Sequence, residues 1–159
     1  MVAANEERLE NRQQDREYKR ISELLRGCSL EITQHFFQAI LCDPTLPAFG
    51  SAKEQLDFIP GVLRGLADML ESPEPDKTKP SVIQQAAASL GRKRFRQGYS
   101  APLIVTTVRL LQRAIYEVAR ENLSSLERSI LPLDLKRLSS SLAMQLEAAL
   151  EGFLNEYVA

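Results

Sequence analysis

Apolar residues recur every three or four positions along most of the chain, beginning at Ile21. This spacing places them on one side of a helix, and no segment has the alternation typical of half-buried strands. The first run covers 21–41 and ends before Asp43 and Pro44, because a residue that precedes proline is disfavoured in the helical conformation. Gly27 lies inside this run and predicts a break or a bend.

A second apolar run begins at a capping box and continues to about Leu70. Ser51 can accept a hydrogen bond from the backbone at the start of the helix, and Glu54 can bond back to the cap residue. Pro60 lies inside this run and predicts a kink, since proline removes one hydrogen bond of the helix. Residues 71–80 then contain three prolines and five charged residues, which predicts a linker between elements of one domain.

Three further helices are predicted in the second half of the chain. The third helix covers 81–96 and stops at Gly98, which can adopt the positive φ of a helix end. Ser100 can cap the fourth helix, which ends near Asn122, and the fifth helix begins near Pro132. The predicted fold class is therefore all-α, a single-domain bundle of five main helices.

Residues 1–20 form a polar extension that precedes this bundle. Within it, 4–20 contain five acidic and five basic residues, and only Leu9 and Tyr18 are large and apolar. A helix in this extension would have no face to bury, so we expect a solvated segment that can form a sixth helix. The bundle itself is expected to cover 21–159 as one domain.

Composition narrows the class of protein. The chain has 159 residues, of which 44% are hydrophobic and 26% charged, values that support one packed core and exclude general disorder. Twenty basic residues against 21 acidic ones give a net charge of −1, which argues against a generally basic nucleic-acid-binding protein. No segment is apolar over the roughly 18 residues that a membrane span needs, and no apolar region typical of a signal peptide follows the first residue. We therefore expect a cytoplasmic protein that does not enter membranes.

Common catalytic and metal-binding motifs are absent from the sequence, which contains no GxxxxGK[ST], GxGxxG, HExxH, CxxC or GxSxG. We therefore expect no catalytic residue, no metal site and no cofactor, and we do not expect an enzyme. The single histidine, His35, lies at the edge of an apolar helix face. We interpret it as a boundary residue, with haem ligation as the alternative. Cys28 and Cys42 lie in apolar helical patterns and are expected to be buried thiols.

Two groups of charged residues have functional and structural interpretations. On the fourth helix, Glu117 and Glu121 lie near Arg113 and Arg120, and we interpret them as solvated ion pairs. At the end of the third helix, a basic cluster can complement the helix dipole, bind an anionic ligand or partner, or contact nucleic acid. The cluster consists of Arg92, Lys93, Arg94 and Arg96.

Three segments together resemble a known family. They are the DPTLP segment that begins at Asp43, the helix around Pro60, and LGRKRFRQGYSAPLIVTTVRLLQRAI at 90–115. These segments resemble the N-terminal domain of RsbRD-type RsbT co-antagonists, which also stands at the N-terminus of many bacterial sensor histidine kinases. The resemblance covers about 24–123. Its most specific part is formed by Gly91, Arg92, Arg94, Gln97, Gly98, Tyr99 and Ser100.

The resemblance implies a sensory input domain without catalysis that acts as a homodimer and precedes an output domain. The last helix is then expected to continue into that output domain or to contact a signalling partner. The motif implies two alternatives, of which one is a structural corner made by Gly98 and Tyr99. The other is a sensory pocket lined by Arg92, Arg94 and Tyr99, with Arg109 or Arg113 from the facing helix.

One departure from the family concerns the first helix, which often carries tryptophan before the Asp-Pro loop, whereas this chain has no tryptophan. Two other functions also stay open from the sequence. One is a globin-like small-molecule sensor, with haem as a possible ligand. The other is a small nucleic-acid-binding regulator that uses 92–96, against which the near-neutral net charge argues.

Overall fold

The computed structural model describes residues 18–45, 58–72 and 82–158. Within these ranges the chain forms six α-helices and one short 3-10 helix, and it contains no strand. The all-α bundle expected from the sequence is confirmed. The helices are α1 (Ile21–Gly27), α2 (Ser29–Cys42), α3 (Ile59–Glu71), α4 (Val82–Arg96), α5 (Ala101–Glu121) and α6 (Leu131–Val158), with the 3-10 helix at Leu123–Ser125.

The first predicted helix is in fact two helices, which explains why the described bundle has six helices and not five. The helical path breaks at Cys28, whose φ of −109° and ψ of 23° end α1, and whose N–H bonds to the Leu24 carbonyl at 2.8 Å. Glycine suits position 27 because a Cβ there would lie 2.5 Å from Cε1 of Tyr18. The possible sixth helix within 1–20 falls almost wholly outside the described residues.

Two local predictions need correction. The described helix around Pro60 begins at Ile59, so Pro60 lies in the first turn, where a backbone N–H would have no helical acceptor. Pro60 therefore stands at a helix start and does not kink a helix interior. The capping box at 51–54 lies outside the described residues.

Of the two cysteines, Cys28 is buried as predicted, whereas Cys42 is exposed at the last position of α2.

The remaining helix ends follow the sequence signals. Asp43 adopts an extended conformation directly after α2, and Gly98 has a φ of 85° after α4. The Ser100 hydroxyl accepts a hydrogen bond from the Leu103 N–H at 3.4 Å, so it caps α5. Asn122 ends that helix.

The main core lies between α1, α2, α3, α5 and the first half of α6. Its fully buried side chains exclude water from the space between these helices, which is the dominant source of their stability. The largest of them are Phe36, Ile21, Leu24, Leu25, Ile32, Ile59, Leu63, Leu66, Leu70, Ile115, Leu138 and Val118.

A second apolar cluster lies where α4 packs along the second half of α6. Its buried members are Tyr99, Ile104, Ala149 and Phe153. The rings of Phe95 and Phe153 meet edge to face with their centroids 5.1 Å apart, a favoured aromatic geometry.

The backbones of α4 and α6 touch at glycine residues. A Cβ on Gly91 would overlap the Ala149 carbonyl, and a Cβ on Gly152 would overlap the Ala88 carbonyl. Because neither position has room for a side chain, glycine at both positions is what permits this packing distance. Among the described glycines, Gly91 and Gly152 are the two at which the backbone of another helix leaves no room for a side chain.

A buried carboxylate joins the start of α6 to the start of α1. Asp134 is 1% exposed, and its Oδ1 accepts a hydrogen bond from Arg20 Nη2 at 2.8 Å. Its Oδ2 accepts from the Ile21 N–H at 3.4 Å, which satisfies a donor at the first position of α1. None of the helices in the described part of the chain is both long and apolar enough to cross a membrane.

Candidate functional site

The most specific sequence motif forms a buried stack of one cation and two aromatic rings. The guanidinium carbon of Arg94 lies 4.9 Å from the ring centre of Tyr99 and 5.3 Å from that of Phe58. Arg94 is only 6% exposed, and its Nη1 donates to Oε1 of Gln97 at 2.9 Å. A cation held between rings and removed from water gains up to about 2 kcal/mol.

The turn after α4 brings the two halves of this stack together. Gly98 adopts a positive φ, which lets the chain reverse, and the Tyr99 N–H then bonds to the Arg94 carbonyl at 3.0 Å. The Tyr99 ring consequently returns over the Arg94 side chain. Of the two alternatives left open by the sequence, this arrangement favours the structural corner, because Arg94 and Tyr99 are used in packing.

The other members of the basic cluster point in different directions. Arg92 donates to the Ser89 hydroxyl on its own helix at 3.0 Å. Arg96 forms an ion pair with Glu156 of α6 at 3.1 Å. Lys93 is exposed. The four charges therefore form no continuous basic surface.

Arg109 and Arg113 lie elsewhere, on α5, and the structure does not place them in one concavity with the Arg94 stack. Arg109 lies eight residues after Ala101, the first residue of α5, which corresponds to a rise of about 12 Å along the helix. Both arginines line a separate surface concavity of about 320 Å³. Its lining side chains all come from α5 and are Arg109, Gln112, Arg113, Tyr116, Glu117 and Arg120.

A histidine connects this surface to α2. Oε2 of Glu117 lies 3.2 Å from Nδ1 of His35, and Oε1 of Glu121 lies 3.5 Å from Nε2 of the same ring. Glu117 also accepts a hydrogen bond from Nε of Arg113 at 3.2 Å. Glu117 is therefore shared between a cation on its own helix and a ring on α2.

Tyr116 connects the same surface to α6. Its hydroxyl lies 2.7 Å from the Ser139 hydroxyl, and Nε2 of Gln112 donates to the Tyr116 hydroxyl at 3.3 Å. The α5 surface thus contacts both neighbouring helices through polar side chains.

Sequence reasoning identified only part of this surface. The ion pair of Arg113 with Glu117 is as expected, whereas Arg120 forms no ion pair within the described residues. Gln112 and Tyr116 were not recognised as companions of this pair. Their spacing of three and four residues on the side of α5 away from the apolar stripe was the available signal. The approach of His35 had no local signal, because it depends on how α2 packs on α5.

The surroundings of His35 bear on the haem alternative. Each ring nitrogen of His35 faces a carboxylate oxygen. Neither nitrogen could therefore bind an iron ion unless these side chains moved. Among the described residues, no three histidine, cysteine or acidic side chains lie together as a set of metal ligands. Within the described ranges, no feature around His35 favours haem over the boundary interpretation.

Comparison with known families identifies the chain more closely than its geometry does. The fold is an all-α helical bundle, a class that hosts many different functions. The family model of the RsbT co-antagonist protein rsbRD N-terminal domain matches residues 44–157, and the chain belongs to this family. No curated protein and no solved structure matches the chain. The family match includes nearly all of α6, which lies beyond the segment 24–123 expected from the sequence motifs. It begins after α1 and α2, most of which that segment included.

Proposed function

We propose that the chain is a non-catalytic signal-input domain of a bacterial signalling protein. The parent protein is a sensor histidine kinase or a regulator of RsbT co-antagonist type, and it works in the cytoplasm. The family match over residues 44–157 carries this proposal, since the family consists of N-terminal signalling domains. The enzymatic or partner-binding output then belongs to another domain or to a second protein.

The long helix α6 is the element best placed to transmit a signal. It has 28 residues, so its length is about 42 Å. Its first half lies in the main core, and its second half packs against α4. A stimulus that changes either contact would therefore shift or rotate one rigid helix, which is a common way to pass a signal between domains.

The input domain is further proposed to act as a homodimer through α6. Four large apolar side chains of this helix are exposed, and three of them lie close together near its C-terminal end. Leu133 and Leu154 are each 53% exposed, and Tyr157 and Val158 at the end of the helix are more exposed still. A second copy of the chain would cover these side chains.

Light scattering of the purified protein with a matched pair of variants tests the dimer. We expect the wild type to have twice the monomer mass and Leu154→Glu to be monomeric, because a carboxylate would be buried unpaired in the interface. Leu30→Glu is the control, since Leu30 is equally large and is exposed on α2. A monomeric wild type at every concentration, or loss of the dimer in both variants, would contradict the α6 interface.

A further inference from the structure

The exposed side of α5 carries unsatisfied positive charge. We call this surface the arginine face and define it by its lining side chains, which are Arg109, Gln112, Arg113, Tyr116, Glu117 and Arg120. Arg109 and Arg120 are exposed, and neither makes a hydrogen bond or an ion pair within the described part of the chain. Arg113 has one acidic partner, Glu117, which is already shared with His35. Such a surface is notable in a protein whose net charge is −1.

The shape of the arginine face suits an elongated partner, such as a helix that lies along α5. All of its lining side chains project from one helix, so the concavity has a floor but no opposing wall. Enclosed small-molecule sites bury most of their ligand, which this surface cannot do. From Arg109 to Arg120 the helix rises about 16 Å, a distance that a short protein segment covers and a single small anion does not.

We propose that the arginine face is the docking site for an acidic segment of a partner protein. The proposal rests on the proposed signalling function and names the surface by which a partner would be bound. Arginine is the cation best suited to carboxylates, because its planar guanidinium donates two parallel hydrogen bonds. Gln112 and Tyr116 lie between the arginines and add an amide and a ring to the contact.

Nucleic acid fits this surface less well than an acidic protein segment. Glu117 and Glu121 lie at the C-terminal half of the arginine face and would repel a continuous phosphate backbone. Separate carboxylates on a protein segment can instead be spaced to meet the arginines and to avoid these acids. The arginines are four and seven residues apart on α5.

Docking at this surface would also reach the neighbouring helices. A carboxylate that binds Arg113 competes with Glu117, and a released Glu117 keeps only His35 of α2 as its partner. A side chain that contacts Tyr116 would act on its hydrogen bond to Ser139 of α6. Partner binding would thus be sensed by the same helix that is proposed to transmit the signal.

Fluorescence anisotropy with a defined peptide tests the proposal on the full chain. The probe is a fluorescein-labelled, alanine-based peptide whose glutamates are four and seven residues apart, and the control peptide has glutamine at those positions. We expect the acidic peptide to bind and its affinity to fall with salt, as for other contacts between exposed charges. The variant Arg109→Gln/Arg113→Gln/Arg120→Gln should lower the affinity about fivefold or more, given the usual contribution of exposed ion pairs.

A charge-matched variant separates a local site from general attraction. Arg64→Gln/Arg128→Gln/Lys136→Gln removes the same charge at exposed positions outside the arginine face and should bind the peptide as the wild type does. Equal loss in both triple variants, or no binding of the acidic peptide at low salt, would overturn the proposal. Tighter binding of a single-stranded oligonucleotide, lost in the arginine-face variant, would overturn it in favour of nucleic acid. The peptide assay does not measure signal transmission through α6. A negative peptide result would therefore overturn the docking site without contradicting the proposed function, which has a separate test.

Discussion

At the residue scale, the same amino acid has opposite roles in this bundle according to its surroundings. Arg94 is buried between two rings, where it holds the corner after α4. Arg109, on the next helix, faces solvent and is available to a partner. The difference arises from packing, because Arg94 is covered by the rings of Phe58 and Tyr99, whereas Arg109 lies on the exposed side of α5. The buried position fixes the fold, and the exposed one is open to recognition.

The ion pairs that connect α1 to α3 predict a pH-dependent contribution to stability. Arg26 donates to both carboxylate oxygens of Glu71, at 3.1 and 2.8 Å, and also to Asp68. These hydrogen bonds lower the pKa of Glu71 below its usual value. Because the folded-state pKa is the lower one, the stabilisation is present above the pKa of an unfolded glutamate, about 4.3, and is lost as the pH falls through the folded-state value.

Thermal unfolding followed by circular dichroism checks this contribution. We expect Arg26→Gln to lower the Tm slightly at pH 7, since the pair is exposed to solvent, and to have a smaller effect at about pH 3.5. Arg64→Gln on α3 is the control, because Arg64 is exposed and forms no ion pair in the described structure. A Tm difference that stays constant from pH 7 to acidic pH would show that Glu71 is not the group involved.

At the scale of elements, the close approach of α4 and α6 is the feature most sensitive to substitution. Glycines on both helices meet carbonyl groups of the partner helix, so there is no space into which a larger residue could relax. Several helix boundaries follow from local signals such as the Asp43-Pro44 pair, Gly98 and Ser100. The α4–α6 pairing does not, because it depends on contacts between segments that are far apart in the sequence.

A pair of glycine substitutions tests this packing. Gly152→Val should destabilise the protein by about 1–3 kcal/mol or more, since the new side chain would overlap the Ala88 carbonyl. Gly61→Ala on α3 should be neutral or stabilise the protein by up to about 1 kcal/mol, because a Cβ there meets no atom within 4 Å. Urea denaturation measures both values. Equal effects of the two substitutions would contradict the close α4–α6 contact.

At the scale of the whole molecule, the sequence was sufficient for the fold class and insufficient for the site. Apolar spacing predicts the helices because each buried face is a property of one segment. Gly27 predicted a break close to Cys28. The packing of Tyr18 against Gly27 had no signal in the sequence. The meeting of His35 with Glu117 joins two helices whose mutual orientation no local pattern specifies.

Under the proposed function, α6 transmits the signal and the arginine face on α5 receives the partner. The arginine face on α5 lies between α2 and α6, and both neighbours are bonded to it through side chains. The exposed apolar residues of α6 are available for a second copy, and its buried residues connect both clusters of the core. The charged arginine face suits an acidic partner, and the exposed apolar residues of α6 suit a second copy of the chain.

Signal transmission through α6 is tested most directly by changing the rotation of this helix relative to an output domain. The chain would be fused after α6 to the catalytic core of a histidine kinase, with one to seven alanines inserted at the junction. We expect autophosphorylation to rise and fall with a period of about 3.6 inserted residues, because each inserted residue turns the end of a continuous helix by about 100°. Activity that is independent of the insert length would contradict the claim that α6 transmits a signal.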